Sequence, residues 1–271
     1  MKISHLLSRD NSLFKTIRLI SSGARRAPAG LVIAEGVRVL EEVNKTSYKV
    51  EAVVFSEQFG LTERERALYN SWLSRGVRLC KTTAKLFKSI SSVRTPQGAL
   101  ALVNVPANVL TEINPCPNSL ILYTCGIQDP GNLGTLIRTA ASAGATLFCT
   151  TKGTVSARNP KVIRASAGAF FHLPVVENIG LIEFRDYCSS NDIQAYRADT
   201  RGEAFYTEID LQCSCAILLG NEGSGIRGEE WEDFPSIRIS TTNAVESLNV
   251  AVAGAIILFE ASRQRSEMRL L

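Results

Sequence analysis

Histidine is nearly missing from this sequence: its 271 residues hold two, His5 and His172. That supply poorly serves a Ser-His-Asp hydrolase, a Cys-His nucleophile pair or a His-ligated metal. His5 lies in an N-terminal arm, and His172 stands between Phe171 and Leu173, where packing is the expected role. The seven cysteines contain no C-x-x-C pair, and Cys213-Ser-Cys215 has no histidine nearby, so no metal is expected. An odd number of thiols, five of them (Cys80, Cys125, Cys149, Cys213, Cys215) in or beside apolar β-like runs, fits reduced cysteines acting as small hydrophobes in a cytoplasm. Long apolar runs are lacking too. The N-terminus has no unbroken stretch of the signal-peptide kind, and Val250–Phe259 is too short to span a bilayer, so neither export nor a membrane is expected. Repeats and low-complexity segments are also missing.

What is present is ordinary globular composition, 45% apolar and 21% charged, in a chain long enough for two domains with their own cores. Charge is unevenly shared. Residues 1–117 carry 17 Lys/Arg against 9 Asp/Glu, a balance of +8, and residues 118–271 carry 13 against 17, a balance of −4. A basic half is the electrostatic footprint of a nucleic-acid binder, or simply a solvated face; the balance alone leaves both open.

An α/β alternation runs along the chain. Residues 1–27 hold six basic residues, among them Lys15, Arg18, Arg25 and Arg26, with weak helical periodicity over 12–21. Strands are expected at 31–34, 50–55, 77–81 and 98–105, and helices at 37–43, 62–74 and 84–90. This makes residues 1–105 a small α/β domain behind a basic arm. Residues 106–118, with Pro106, Pro115 and Pro117, are expected to be a linker. In 119–271, strands are expected at 119–125, 146–149, 175–177, 193–198, 216–219 and 237–239. Helices are expected at 133–143, 160–167 and 181–189, and a long last one from about Ala244 to Arg263. Short strands separated by helices imply a mostly parallel sheet with helices on both faces.

Three Gly/Asn-rich segments lie where a strand ends or a helix begins, the ligand-binding edge of such sheets. In the first, Gly126–Ala140, Asp129-Pro130-Gly131 is turn chemistry and Asn132 a suitable N-cap. Arg138 sits there on a largely apolar helix and either snorkels or serves a site. In the second, 218–225, glycines let the backbone approach a flat ligand closely. Gly223-Ser-Gly-Ile-Arg-Gly228 fits G-x-G-x-x-G, but the acidic stretch to Pro235 leaves no room for a pyrophosphate-capping helix, so a nucleotide-dependent oxidoreductase is rejected. In the third, 240–260, Thr241, Thr242 and Asn243 are candidate caps, while Ser247 and Asn249 fall near the buried start of an apolar helix and need partners.

Together these segments resemble the SpoU/TrmH family of RNA ribose 2′-O-methyltransferases, of the SPOUT class. The residues that carry the likeness are Asn132-Leu-Gly-Thr-Leu-Ile-Arg138-Thr-Ala140, Leu219-Gly-Asn-Glu222-Gly-Ser-Gly225 and Ser247-Leu-Asn249-Val-Ala-Val-Ala253, in order and at matching spacing. Asn159–Gly168 is similar to the segment before the family's fourth strand, while Ile33–Arg38 and Arg94–Gly98 are similar to a ribosomal-protein-like substrate-binding domain. Ser240 and Ala251 depart from the usual Pro and Ser. The resemblance implies a C-terminal trefoil knot, a homodimer, and S-adenosylmethionine as cofactor without a metal. By motif match, Arg138, Asn132, Glu222, Ser247 and Asn249 are the catalytic candidates. Leu219, Gly220, Asn221, Gly223, Ile239 and Leu248 would hold the cofactor, and Lys15, Arg18, Arg25, Arg26, Arg38 and Arg164 would contact RNA. The two-domain layout favours ribosomal RNA over tRNA as substrate; a non-catalytic RNA- or ribosome-binding protein is the rival reading.

Overall fold

A computed structural model describes residues 4–6, 8–23, 28–221, 231–242 and 247–268. The first elements in chain order are β1 (Ser4–His5), α1 (Ser12–Ser21), β2 (Leu31–Glu35), α2 (Val37–Asn44), β3 (Lys49–Ser56), α3 (Glu63–Ser74), β4 (Leu79–Thr82), α4 (Ala84–Ile90) and β5 (Ala99–Asn104). Then come β6 (Leu120–Thr124), α5 (Pro130–Ser142), β7 (Leu147–Thr150), α6 (Pro160–Ala165), β8 (Val175–Val176) and α7 (Leu181–Ser190). The last are β9 (Gln194–Ala198), β10 (Ala204–Phe205), β11 (Cys215–Leu219), β12 (Ser236–Arg238) and α8 (Val250–Met268). They form two compact units: residues 1–107 with 158–171, and residues 108–157 with 172–271.

The first unit is a five-stranded mixed sheet of order β1-β4-β3-β5-β2. Residues 4–6 and 8–22 are no free arm. β1 pairs with β4, and α1 lays Leu13, Phe14, Ile17 and Ile20 into a cluster with Val54, Cys80 and Leu102 of the sheet and Phe87 of α4. On α3, Thr62 and Glu65 close a capping box that satisfies two orphan N–H groups. The segment 158–171 belongs here for readable reasons. Arg158 donates to the carbonyls of Val105 and Pro106 (2.8 and 2.9 Å), and Arg164 to Ser92 Oγ (2.7 Å). Gly168, at φ +91°, lies so close to α2 that a Cβ would come 2.6 Å from Glu42 Cβ.

The second unit is a seven-stranded sheet, all parallel, of order β10-β12-β9-β11-β6-β7-β8. Tyr123, Leu218, Phe184, Trp231 and Phe234 fill one face under α7. α5 and α8 pack together over the other, where Gly254 permits close approach: a Cβ there would meet Leu136 and Leu219 side chains at 2.6 and 2.7 Å. The far end of α8 is tied down by Arg265, which donates to the carbonyls of Asn118, Ser119, Leu211 and Cys213.

Two expected boundaries move. Asp129, not Asn132, caps α5: its side chain accepts from Asn132 N at 2.9 Å, and Pro130 occupies the first helical position, where no N–H is needed. The last helix begins at Val250 rather than near Ala244, because Asn249 Oδ1 accepts from Ala251 N (2.9 Å) and Val252 N (3.3 Å) as a cap. Residues 243–246 lie outside the described residues. His172 is exposed rather than packed, as is Cys213.

Candidate active site

The C-terminal edge of the second sheet gathers the motif segments. After β6 the chain turns at Gly126, whose φ of +67° favours glycine. Its N–H donates to Thr154 Oγ1 (3.0 Å) and Thr151 Oγ1 (3.2 Å). Its carbonyl accepts from Asn221 Nδ2 at 2.6 Å, so Asn221, just past β11, spends its amide fixing this turn.

From that turn α5 carries Asn132 toward the foot of α8, where Asn249 Nδ2 donates to Asn132 Oδ1 at 3.2 Å. The capping bonds hold the Asn249 oxygen on its own helix and so aim its NH₂ outward. Two motifs that lie 117 residues apart are thereby joined through their polar side chains. Asn249 and Ser247 are exposed, not buried as expected, and Asn249 satisfies its polar groups at the surface.

Arg138 is not drawn into this pair. It lies on the exposed stripe of α5 with Gly131, Thr135 and Ser142, and has no hydrogen bond or ion pair among the described residues. A guanidinium whose donors no described residue takes suits an anionic partner from outside. Ser247 likewise has no hydrogen-bond partner among the described residues. Leu219 ends β11 with its carbonyl accepting from Cys125 N (2.8 Å) and its side chain beside Gly254. Gly220, Ile239 and Leu248 are half-buried, and among the described residues their backbone N–H and C=O groups make no hydrogen bond. Half-buried, unclaimed backbone donors and acceptors at a parallel sheet's C-terminal edge are a donor set that fits a nucleoside-bearing cofactor such as S-adenosylmethionine. Glu222 and Gly223 lie outside the described residues.

The basic candidates of the first unit divide. Lys15, Arg18 and Arg38 are exposed, Lys15 within 3.5 Å of Asp10. Arg164 is half-buried and spent on Ser92. Arg25 and Arg26 lie outside the described residues. Residue-type reasoning missed Glu35, which is 3% exposed and accepts from Ser91 Oγ, Ser92 N (2.9 Å) and Ser92 Oγ (2.8 Å). Beside it Gln97 Oε1 accepts from Val37 N at 2.9 Å. The segments 35–37 and 91–97 thus hold each other in place; an acid inside an apolar strand next to glycine was the available signal.

No group of side chains suited to a metal occurs among the described residues, and no described helix is long and apolar enough to cross a membrane. Burial pushes the Cys188 thiol up to about 12 and Cys215 up to about 11, with Arg265 opposing the latter, and it raises Cys149 further. These thiols stay protonated at neutral pH and serve packing, not nucleophilic attack.

Residues 119–259 match the model of the SpoU rRNA methylase family, and residues 11–101 that of the MRM3-like substrate binding domain. The 23S rRNA (guanosine(2553)-2'-O)-methyltransferase RlmP of Bacillus subtilis (strain 168) is 28% identical over 253 residues, which cover 93% of this chain and 96% of that protein. A solved RNA 2'-O ribose methyltransferase is 30% identical, with a TM-score of 0.82 over 98% of this chain and 100% of its own. The AdoMet-bound rRNA methyltransferase from Sinorhizobium meliloti is 25% identical, with a TM-score of 0.83 over 96% of this chain and 98% of its own. Its fold, its joined motif segments and a family match over more than half of its length agree: the chain belongs to the SpoU rRNA methylase family.

Proposed function

We propose that this protein transfers a methyl group from S-adenosylmethionine to a ribose 2′-hydroxyl of ribosomal RNA. The observation that carries the reading is the Asn132–Asn249 bridge, which brings two of the three motif segments into one site beside unclaimed backbone groups. Similarity to rRNA 2′-O-methyltransferases over nearly the whole chain supports the substrate class.

When bound, S-adenosylmethionine supplies a sulfonium-activated methyl group and its own leaving group. The chain's part is to hold, orient and handle one proton. Gly220, Ile239 and Leu248 offer backbone partners to the adenosine, with Leu219 as an apolar wall. The Arg138 guanidinium offers a fork of donors and no acceptor, so its role is to grip the phosphate beside the target ribose and polarise the hydroxyl, easing loss of the O2′ proton to water. Asn132 and Asn249 set the foot of α8, and Ser247, two residues before Asn249, adds an exposed hydroxyl.

The same proposal includes a homodimer, a knotted C-terminal segment and a reducing cytoplasm. Supporting them are the exposed apolar residues Val252 and Phe259 on α8, the wrapping of residues 199–206 around β12 through bonds from Asp199, Glu203 and Tyr206, and the free cysteines.

Labelled methyl transfer to rRNA and tRNA transcripts, followed by mapping of alkali-resistant linkages, tests the reading. Label is expected in rRNA at one linkage. Label in tRNA alone would reassign the substrate, and no label with no heat on titrating the cofactor would leave an RNA binder. Arg138→Ala is expected to abolish turnover while calorimetry still registers the cofactor.

A further inference from the structure

We infer that the first unit carries a pocket for an unstacked nucleobase of RNA, a site outside the three motif segments; the inference rests on the RNA-directed reading. A cavity of about 350 Å³ opens between the end of β3, the middle of β4, the middle of α3 and the loop joining β3 to α3. That volume is near the lower end of small-molecule sites, which run from roughly 300 Å³. Phe55 forms its floor, 3% exposed. A turn closed by Phe59 N to Ser56 O (2.9 Å) folds Phe59 back over Phe55, ring centroids 4.7 Å apart and planes 30° apart. Tyr69 reaches in from α3, 5.2 Å from Phe55. Phe59 and Tyr69 are both half-buried and both line the cavity. Gly60, at φ +98°, lets the loop turn away and leave the mouth open.

Two polar side chains at the lining are uncommitted. Asn70 and Lys81 are exposed and make no hydrogen bond or ion pair among the described residues, and Lys81 stands beside Phe55 in the β3–β4 register. Arg66 donates to Leu61 O at 3.0 Å, ordering the loop. An aromatic platform with a carboxamide, which offers both donor and acceptor, and the two cations Arg66 and Lys81 matches a flat heteroaromatic ring attached to a phosphodiester. The neighbouring carboxylates of Glu57 and Glu65, which accept from Ala84 N (3.1 Å) and Thr62 N (3.0 Å), disfavour a phosphate inside the pocket and leave a neutral base acceptable. The Cys80 thiol in the lining is raised by burial, against the pull of Arg78, so the pocket binds rather than reacts.

The test uses the full chain labelled with 3-fluorotyrosine, its Tyr69 resonance identified with Tyr69→Phe. Titration with adenosine, guanosine, cytidine and uridine is expected to shift that resonance for at least one nucleoside, and ribose 5-phosphate to leave it in place. In parallel, Phe59→Ala should weaken binding of a 23S rRNA transcript about tenfold without changing its salt dependence, since base–aromatic stacking contributes affinity and is not ionic. Phe59→Trp should restore affinity, which a merely unfolded loop would not allow. A Tyr69 resonance that no nucleoside moves, or Phe59→Ala protein that binds the transcript as tightly as wild type, overturns the pocket. If wild type still methylates rRNA in that event, the enzymatic reading stands; wild type that neither binds nor methylates rRNA overturns both.

Discussion

Asn249 does two things with one amide: its oxygen caps α8 and its NH₂ reaches Asn132. The functions separate by substitution. Asn249→Asp keeps the capping oxygen but replaces the donor with an acceptor facing Asn132 Oδ1. Stability by urea denaturation should therefore change by less than about 0.5 kcal/mol, while turnover falls. Asn249→Ala loses both, at about 1 kcal/mol. Equal activity of Asn249→Asp and wild type would show that the bridge is incidental. The sequence marked Asn249 as a polar residue in search of partners, but assigned Asn132 rather than Asp129 to cap α5. Asp129 and Asn132 are both good caps by type, and only the placement of Pro130 inside the first turn decides between them. Among the thiols, Cys116 and Cys213 are exposed, and Cys80, Cys149, Cys188 and Cys215 are buried with raised thiol pKa. Alkylation at neutral pH read by peptide mass should label the first two quickly and the other four only in denaturant.

At the scale of elements, α8 shows what hydrophobic periodicity resolves and what it does not. Val250–Phe259 is apolar nearly all round, so a helix was legible, yet no polar face marked where it starts; the Asn249 cap fixes that point. The two-residue strands β1 and β10 were illegible for a different reason. Each is a sheet edge too short to show alternation, and exists only because a longer strand pairs with it. Gly254 was equally silent, since nothing local explains a glycine within a helix. Packing explains it: a methyl there meets the ends of two flexible side chains, Leu136 and Leu219. Gly254→Ala should be near neutral, because about 1 kcal/mol of helix propensity offsets the shift of those side chains. Gly254→Val should cost about 1–3 kcal/mol by overpacking and weaken cofactor binding, since Leu219 walls the proposed site. Thermal melts with and without S-adenosylmethionine would measure both.

For the whole molecule, the uneven charge that first suggested RNA predicts a salt-dependent affinity carried by exposed residues such as Lys15, Arg18 and Arg38. Neutralising these three should flatten the plot of log affinity against log salt by about 0.7–0.9 for each phosphate that is no longer neutralised. Assembly calls on the opposite kind of surface. Val252 and Phe259 stand seven residues apart on α8, 48% and 53% exposed, with Ala255 and Ile256 half-buried between them. Residues at that spacing share a helix face, and an apolar stripe left in water on a helix whose other side is buried has the character of an interface. α8 packs against α5, the helix that presents Arg138 with no bond to any described residue. Burying the stripe against a second copy would confine the space around Arg138 and reduce its exposure to water, strengthening its hold on a phosphate. Phe259→Asp places a charge in that stripe at a position already half open to solvent, so the fold should survive with an unchanged melting curve. Light scattering should then report a monomer where wild type gives a dimer, and methyl transfer should fall although cofactor binding persists. A monomeric wild type with full activity would remove the second copy from the mechanism.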